Sequence, residues 1–331
     1  MTDAPAPERR AALVYNPTKV DADQLRALVA EHASAAGWAE PLFYETSVDD
    51  LGDGVTREAL DAGASVVLVA GGDGTVRAVS QAMANSHVPL TIVPSGTGNL
   101  LARNLDLPLT DPAAMVAAAF DGEVHAIDVG YARLTRADGD HEEHAFVVMG
   151  GIGLDAAMIA NTSGDLKKKV GWVAYVGGIA RSVANGPNFH LRLRVDGKAH
   201  ASSLRAATVM VGNCGLMPGG LHLLPDAEID DGRLDLAIMR PNGFIGWLQI
   251  YGRIVVQSGI MRRTDVGRRI LLQGRKRVRA LTYAQVEEVT FRLDSGPEEF
   301  EVDGDAAGQI TAARIWIVIS DRSRAIFPSR T

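Results

Sequence analysis

The chain has 331 residues, 47% of them hydrophobic and 22% charged, enough for one large or two medium cores, and its length favours two domains. Its net charge of −7 argues against a nucleic-acid partner, whose phosphates call for a basic face, although charge can still be uneven locally. The single cysteine, Cys214, excludes an internal disulfide and a cysteine-based zinc site, and its apolar setting reads as a small buried hydrophobe.

Met1–Arg10 holds prolines and charges without an apolar stretch, so it reads as a short lead-in rather than a signal peptide, and a cytoplasmic location is expected. From there strand-like apolar runs alternate with helical patterns: Ala11–Tyr15 then Ala22–Ala36, Leu42–Thr46 then Val55–Ala62, Val66–Ala70 then Thr75–Ala84, and Leu90–Pro94 then Asn99–Asn104. This alternation predicts βαβ units and a parallel sheet covered by helices, whose ligands collect at the carboxyl ends of the strands. Three loops fall on that rim. One is Asn16-Pro17-Thr18; the others are Gly71-Gly72-Asp73-Gly74-Thr75 and, 24 positions later, Ser95-Gly96-Thr97-Gly98-Asn99. Glycine at such bends frees the backbone and removes the Cβ, so successive N–H groups can converge on an anion at a helix N-terminus. One glycine loop has a steric explanation as a turn; two in tandem, with Asp73 in the first and hydroxyls at Thr75, Ser95 and Thr97, point to nucleotide phosphates.

After about Ala126 the texture changes. Ala145–Met149, Leu191–Val195, Ala207–Val211, Leu234–Met239 and Val289–Leu293 alternate or run apolar between turn residues, which predicts an antiparallel β-rich domain. Helical patterns interrupt it at Lys167–Asn185 and Gly246–Gly259. The longest uncharged stretch, Ala206–Pro225, carries Asn213, His222, prolines and glycines and cannot span a bilayer as a helix. The turn from Pro225 to Asp235 crowds Asp226, Glu228, Asp230 and Asp231 beside Gly232. Hard oxygen donors at that spacing suit Mg²⁺ or Ca²⁺, and an ordinary solvated acidic turn is the alternative. In Glu301-Val302-Asp303-Gly304-Asp305 two carboxylates share one face of an extended segment, or else Asp-Gly is simply a turn. The eight histidines are scattered without metal or catalytic context.

Asn16-Pro17, Gly71–Thr75, Pro94–Asn99, Gly151-Ile152-Gly153-Leu154-Asp155, Pro225–Asp235 and Val302-Asp303-Gly304 stand in an order and spacing that resembles the diacylglycerol kinase catalytic-domain family, which includes bacterial lipid kinases and sphingosine kinases. The resemblance covers nearly the whole chain; Gly-Gly-Asp-Gly-Thr alone is shared with NAD kinases. It implies an α/β fold of the NAD kinase and diacylglycerol kinase type. Residues 1–125 with 307–331 would form a parallel-sheet ATP-binding domain, and residues 126–306 an antiparallel β-sandwich-like lipid-substrate domain. Arg314–Ile319 would then return to the first domain. The implied activity is transfer of the γ-phosphate of ATP, with Mg²⁺, to the hydroxyl of a diacylglycerol-like or sphingoid lipid.

The resemblance implies roles residue by residue. Gly72, Gly74, Thr75 and Thr97 would hold phosphates, Asn16 and Asn99 would fix the nucleotide, Gly71, Ser95 and Gly96 would complete the cofactor-binding loops, and Asp73 would hold the magnesium-bound triphosphate or orient the acceptor. Asp303 matches the general base. Glu228, Asp231 and the carbonyl of Arg233 match a second, structural metal site. The chain departs from the pattern at Lys19-Val20-Asp21, where relatives continue Ser-Gly-Lys, and at Leu100, Arg77-Ala78 and Asp305. A peripheral membrane contact is expected, with Lys167-Lys168-Lys169, Trp172 and Tyr175 or the stretch Gly243–Arg263 against the bilayer, unless these are ordinary core-facing helices. A second copy of the chain, as a homodimer, is a further candidate partner. Two other readings stay open, a soluble-metabolite kinase of the NAD kinase type and a non-catalytic lipid- or nucleotide-binding relative.

Overall fold

A computed structural model describes residues 8–84, 86–153, 188–217, 220–257, 280–318 and 323–327. The chain divides into two compact units, Met1–Val129 with Val318–Thr331, and Gly130–Ile317.

The first unit is built as its alternation predicts. In chain order come β1 (Ala11–Tyr15), α1 (Ala22–Ala35), β2 (Leu42–Glu45), α2 (Asp53–Asp61), β3 (Val66–Gly71), α3 (Asp73–Met83), β4 (Pro89–Pro94), α4 (Leu100–Asn104), α5 (Pro112–Asp121) and β5 (Glu123–Ile127), and late in the chain β20 (Ser323–Phe327) joins them. The sheet order is β2-β1-β3-β4-β20-β5. Only the last pair is antiparallel. β1 and β3 are buried along their whole length, as strands covered on both faces must be, whereas β5 is exposed at four of its five residues and forms an edge. The helices start where side chains can cap them. Asp21 accepts the Gln24 N–H at 3.0 Å, and Asp111, followed by Pro112, accepts the Ala114 N–H at 2.9 Å. Leu25, Val29 and Ala33, four residues apart, bury one stripe of α1.

The second unit is a β-sandwich. Its strands are β6 (Gly130–Thr135), β7 (His141–Phe146), β8 (Met149–Ile152), β9 (Phe189–Val195), β10 (Ser202–Ala206), β11 (Thr208–Gly212), β12 (Leu216–Met217), β13 (Leu221–His222), β14 (Leu234–Met239), β15 (Leu281–Val286), β16 (Glu288–Leu293), β17 (Glu298–Val302), β18 (Asp305–Ile310) and β19 (Ala312–Ile317). One sheet runs β10-β9-β16-β19-β6-β7 and the other β15-β14-β11-β8-β17-β18, and every pairing in both is antiparallel. Their inner faces share one core, which includes Phe146, Phe189 and Phe291 from the first sheet and Ile152, Val209 and Phe300 from the second. Helix α6 (Gly243–Gln257) packs against β13; its Ile250 is buried, its Trp247 half-buried and its Ile245 exposed. The Lys167–Asn185 pattern and its Lys167–Tyr175 membrane candidate lie outside the described residues, as do Arg262 and Arg263.

One expectation is overturned. The strand at Arg314–Ile319 does not return to the first unit: β19 lies between β16 and β6 in the sandwich. Its residues explain why. Ala313, Ile315 and Ile317 are buried while Arg314 is exposed and Trp316 half-exposed, a two-residue alternation that fits a sheet with one wet face and not a parallel strand buried on both sides. The return is made by β20, which pairs with β4 and β5.

β8 is squeezed between β11 and β17, and its glycines follow from that. A Cβ on Gly151 would lie 2.3 Å from the Val209 carbonyl oxygen, which is backbone and cannot swing away. Gly151→Ala is therefore expected to destabilise the chain by about 3 kcal/mol, read as a lower urea midpoint. An unchanged midpoint would contradict this strand packing.

Candidate active site

β3 and β4 are adjacent and end in register, with Gly71 opposite Pro94, so the two glycine loops leave the sheet side by side. They then pack backbone against backbone. A Cβ on Gly96 would sit 2.9 Å from the Gly72 Cα, and one on Gly98 would sit 2.3 Å from Asp73 Oδ2. A Cβ on Gly71 would meet the Thr75 side chain at 2.7 Å. These three positions need glycine because protein atoms occupy the space. Gly72 is different. Its backbone, at φ −85° and ψ −179°, suits any residue, and a Cβ there would meet nothing within 4 Å. The protein itself does not demand glycine at this point, and the space beside it is open.

Gly72 is also the N-cap of α3 and offers no side-chain acceptor to the first turn. The opening N–H groups of an 11-residue helix, with their positive dipole end, thus face a position kept bare of side chain. Asp73 closes the arrangement from the other side: its Oδ1 accepts the Leu100 N–H at 2.5 Å, tying the start of α3 to the start of α4. Sequence patterns alone do not show this clamp, because it joins positions 27 residues apart.

The second loop spends most of its polar groups on itself. Asn99, in the left-handed region at φ 47°, accepts the Gly96 N–H and donates to the Gly96 carbonyl, both at 2.9 Å. The Ser95 hydroxyl donates to the Val93 carbonyl at 2.9 Å, and Arg103 Nε donates to the Gly98 carbonyl at 2.6 Å. Ser95, Gly96 and Asn99 therefore shape the loop, whereas Thr97 is exposed at its tip. Thr75 is buried and packs against Gly71; Gly74 is half-buried in the first turn of α3. On the first rim loop Asn16 Oδ1 accepts from the Thr18 N–H at 3.0 Å and hydroxyl at 2.7 Å, and the Asn16 N–H donates to the Ala70 carbonyl. This fixes the end of β1 to the end of β3. A cavity of about 390 Å³ opens nearby, lined by Lys19, Asp21, Gln24 and Ser95 among others, a feature that sequence patterns do not show.

In the second unit Asp303 is not part of an extended segment. Asp303 (φ 50°) and Gly304 (φ 90°) are the two turn residues of the β17–β18 hairpin, between paired Val302 and Asp305. Both φ signs match the mirror-image turn that Asp-Gly favours, so the turn alternative is the one realised. The turn gives the carboxylate a fixed aim. Its Oδ1 accepts the Val148 and Met149 N–H groups at 2.9 and 2.8 Å, and its Oδ2 accepts the Val147 N–H at 3.0 Å. The Asp303 N–H donates to the Met149 carbonyl at 2.7 Å. Three backbone N–H donors thus hold the carboxylate in one orientation.

The segment that donates to Asp303 is itself held by Cys214, whose thiol donates to the Val147 carbonyl at 3.3 Å. Burial, and then the charge of Asp303, push that thiol well above its usual range. Native protein is therefore expected to resist thiol-directed reagents at mildly alkaline pH and to label once on unfolding. Rapid labelling of the folded chain would contradict the packing behind Asp303.

The acidic turn is less convergent. Glu228, Asp231 and Arg233 are exposed. Asp231 Oδ1 accepts the Arg233 N–H at 2.9 Å, and its Oδ2 accepts from Gln285 at 3.3 Å. Asp235, just inside β14, is buried and its carboxyl is pushed up to about 6, first by burial and further by Asp231, Asp226 and Glu228. Among the described residues no three of His, Cys, Asp or Glu come together as a metal-holding group.

Residues 10–132 match the model of the diacylglycerol kinase catalytic domain, and residues 147–266 match that of the YegS C-terminal NAD kinase beta sandwich-like domain. The chain is 34% identical over 254 residues to a protein of Pseudomonas fluorescens named "Probable lipid kinase YegS-like", covering 73% of this chain and 77% of that one. A protein of the same name from Stenotrophomonas maltophilia is 30% identical over 248 residues, covering 72% and 75%. For the fold alone, a diacylglycerol kinase structure from Bacillus anthracis superposes with a TM-score of 0.65 at 18% identity, over 98% of both chains. Yeast NADH kinase complexed with NADH gives 0.52 at 9% identity, over 99% of this chain and 85% of that one. The chain belongs to the diacylglycerol kinase catalytic-domain family, with a C-terminal β-sandwich domain of the YegS type.

Proposed function

We propose that this chain is an ATP-dependent lipid kinase, which transfers the γ-phosphate to the hydroxyl of a diacylglycerol-like or sphingoid lipid at a membrane surface. The observation that carries the reading is the bare face of Gly72 at the uncapped start of α3. A glycine that no protein atom requires, beside helix N–H groups, fits a phosphate chain lying against the backbone. The names of the relatives supply the lipid acceptor.

Phosphoryl transfer asks a protein for positioning and charge neutralisation more than for covalent work. The N–H groups opening α3 would bind the phosphates, the Thr97 hydroxyl would add a donor from the second loop, and Asn16 would border the nucleotide. Mg²⁺ bound with the triphosphate would supply further charge neutralisation, and Asp73 is the loop carboxylate that would hold it. Clamped to Leu100, Asp73 also keeps the two loops together. Asp303 would accept the proton of the attacking hydroxyl, its carboxylate oriented by the N–H groups of Val147, Val148 and Met149.

Among the described residues no helix is long and apolar enough to cross a membrane. The test is phosphate transfer from labelled Mg·ATP to diacylglycerol, a sphingoid base and NAD in separate reactions. Label on a lipid supports the reading. Label on NAD alone would replace it with a soluble-metabolite kinase.

A further inference from the structure

The sheet β10-β9-β16-β19-β6-β7 turns its apolar alternates inward and leaves an outer face that runs against the chain's overall charge. That face carries Arg133, Arg192, Arg194, Arg205, Arg292 and Arg314, all exposed, in a chain of net charge −7. Their register is unusual. Arg192 stands directly opposite Arg292, and Arg314 directly opposite Arg133. Like charges in such cross-strand pairs are destabilising.

Three carboxylates offset part of this charge. Glu288 holds Arg314 at 2.6 Å, Asp294 holds Arg192 at 2.8 Å and Glu143 holds Arg133 at 3.3 Å. Arg194, Arg205 and Arg292 make no ion pair among the described residues. Trp316 lies among the arginines, with the Arg314 and Arg133 guanidiniums 5.2 and 5.9 Å from its ring and Tyr131 stacked on it at 5.8 Å.

We propose that this arginine-rich face docks the β-sandwich unit onto an anionic lipid bilayer. Guanidinium forks pair with phosphate oxygens bidentately, and a sheet face presents several of them across one surface. Tryptophan and tyrosine suit the interface between headgroups and acyl chains. An anionic surface also relieves the repulsion between Arg192 and Arg292, of which only Arg192 has a carboxylate partner among the described residues. The choice of a bilayer as occupant rests on the lipid-kinase reading, but the docking is measured without turnover.

The experiment is co-sedimentation with phosphatidylglycerol-rich vesicles and with pure phosphatidylcholine vesicles, for wild type and the triple variant R194E/R205E/R292E. Wild type is expected to bind the anionic vesicles more tightly, increasingly so as salt is lowered. The triple variant is expected to bind them at least about a hundredfold more weakly, because three surface arginines are lost and three like-charged glutamates gained. R194K/R205K/R292K should stay within a few-fold of wild type; should the glutamate variant fail to fold, R194Q/R205Q/R292Q takes its place. Turnover of a short-chain, water-soluble acceptor should be unchanged in all of them. Equal binding by wild type and the charge-reversed variant would overturn the proposal, as would binding of duplex DNA with no vesicle binding. Vesicle binding that the variant loses, in a protein that labels no lipid, would retain the docking face and remove the kinase reading.

Discussion

Gly72→Val is expected to fold as the wild type does and to lose nucleotide binding. The backbone at Gly72 is extended, so a branched side chain adds no strain, and a Cβ meets no protein atom within 4 Å. The expected stability loss is small, about 1 kcal/mol for a poorer N-cap. The side chain would occupy the space where phosphate oxygens approach the α3 N–H groups. Losing two charge-assisted hydrogen bonds of about 1.5 kcal/mol each weakens ATP and tripolyphosphate alike by about a hundredfold. Gly98→Ala is the contrasting variant. Its methyl group collides with Asp73 Oδ2, so it should lower stability and binding together. Calorimetric titration beside thermal unfolding separates the two behaviours. Wild-type affinity in Gly72→Val would show that phosphates do not lie against that face.

Asp303→Asn is expected to cut turnover by about a thousandfold, within the range that a positioned general base contributes. It should leave ATP binding nearly intact, because the groups proposed to bind the phosphates belong to the first unit. A second consequence comes from the turn itself. The carboxylate accepts N–H groups at both oxygens, and an amide offers only one acceptor, so an NH₂ group would face a backbone N–H. Unfolding stability should fall by about 1–3 kcal/mol. Turnover is therefore measured at a temperature where the variant is fully folded by circular dichroism. Near-wild-type turnover under that condition would reduce Asp303 to a structural anchor of the turn at Val147–Met149.

These two positions also show how far the sequence could be read. The parallel sheet was legible because β1 and β3 are unbroken apolar runs ending in glycine or asparagine turns, and the rim loops follow from their order. The division of labour inside the loops was not. Ser95 and Asn99 read as ligand-binding groups by type, yet folding directs their polar atoms to Val93 and Gly96, and it ties one Asp73 oxygen to Leu100. Those partners depend on the left-handed turn at Asn99 and on how closely the two backbones approach. Gly72 could not be told from Gly71, Gly96 and Gly98 without knowing which Cβ would collide.

The error at Arg314–Ile319 had a visible remedy, the alternation of Ala313, Ile315 and Ile317 with Arg314 and Trp316. Helix α5 leaves little trace in the sequence beyond the start marked by Asp111-Pro112, because its alanine-rich run carries little amphipathic contrast. The arginine face was hidden for another reason. Its members are spread from Arg133 to Arg314 and meet only through the pairing of β10, β9, β16, β19 and β6.

The measurement that bears most directly on the central claim is transfer of labelled γ-phosphate from Mg·ATP to a total lipid extract in anionic mixed vesicles, with wild type beside Asp303→Asn. The account predicts a labelled lipid with wild type and about a thousandfold less with the variant, while both bind ATP. ATP binding by wild type with no labelled lipid in the extract would contradict it.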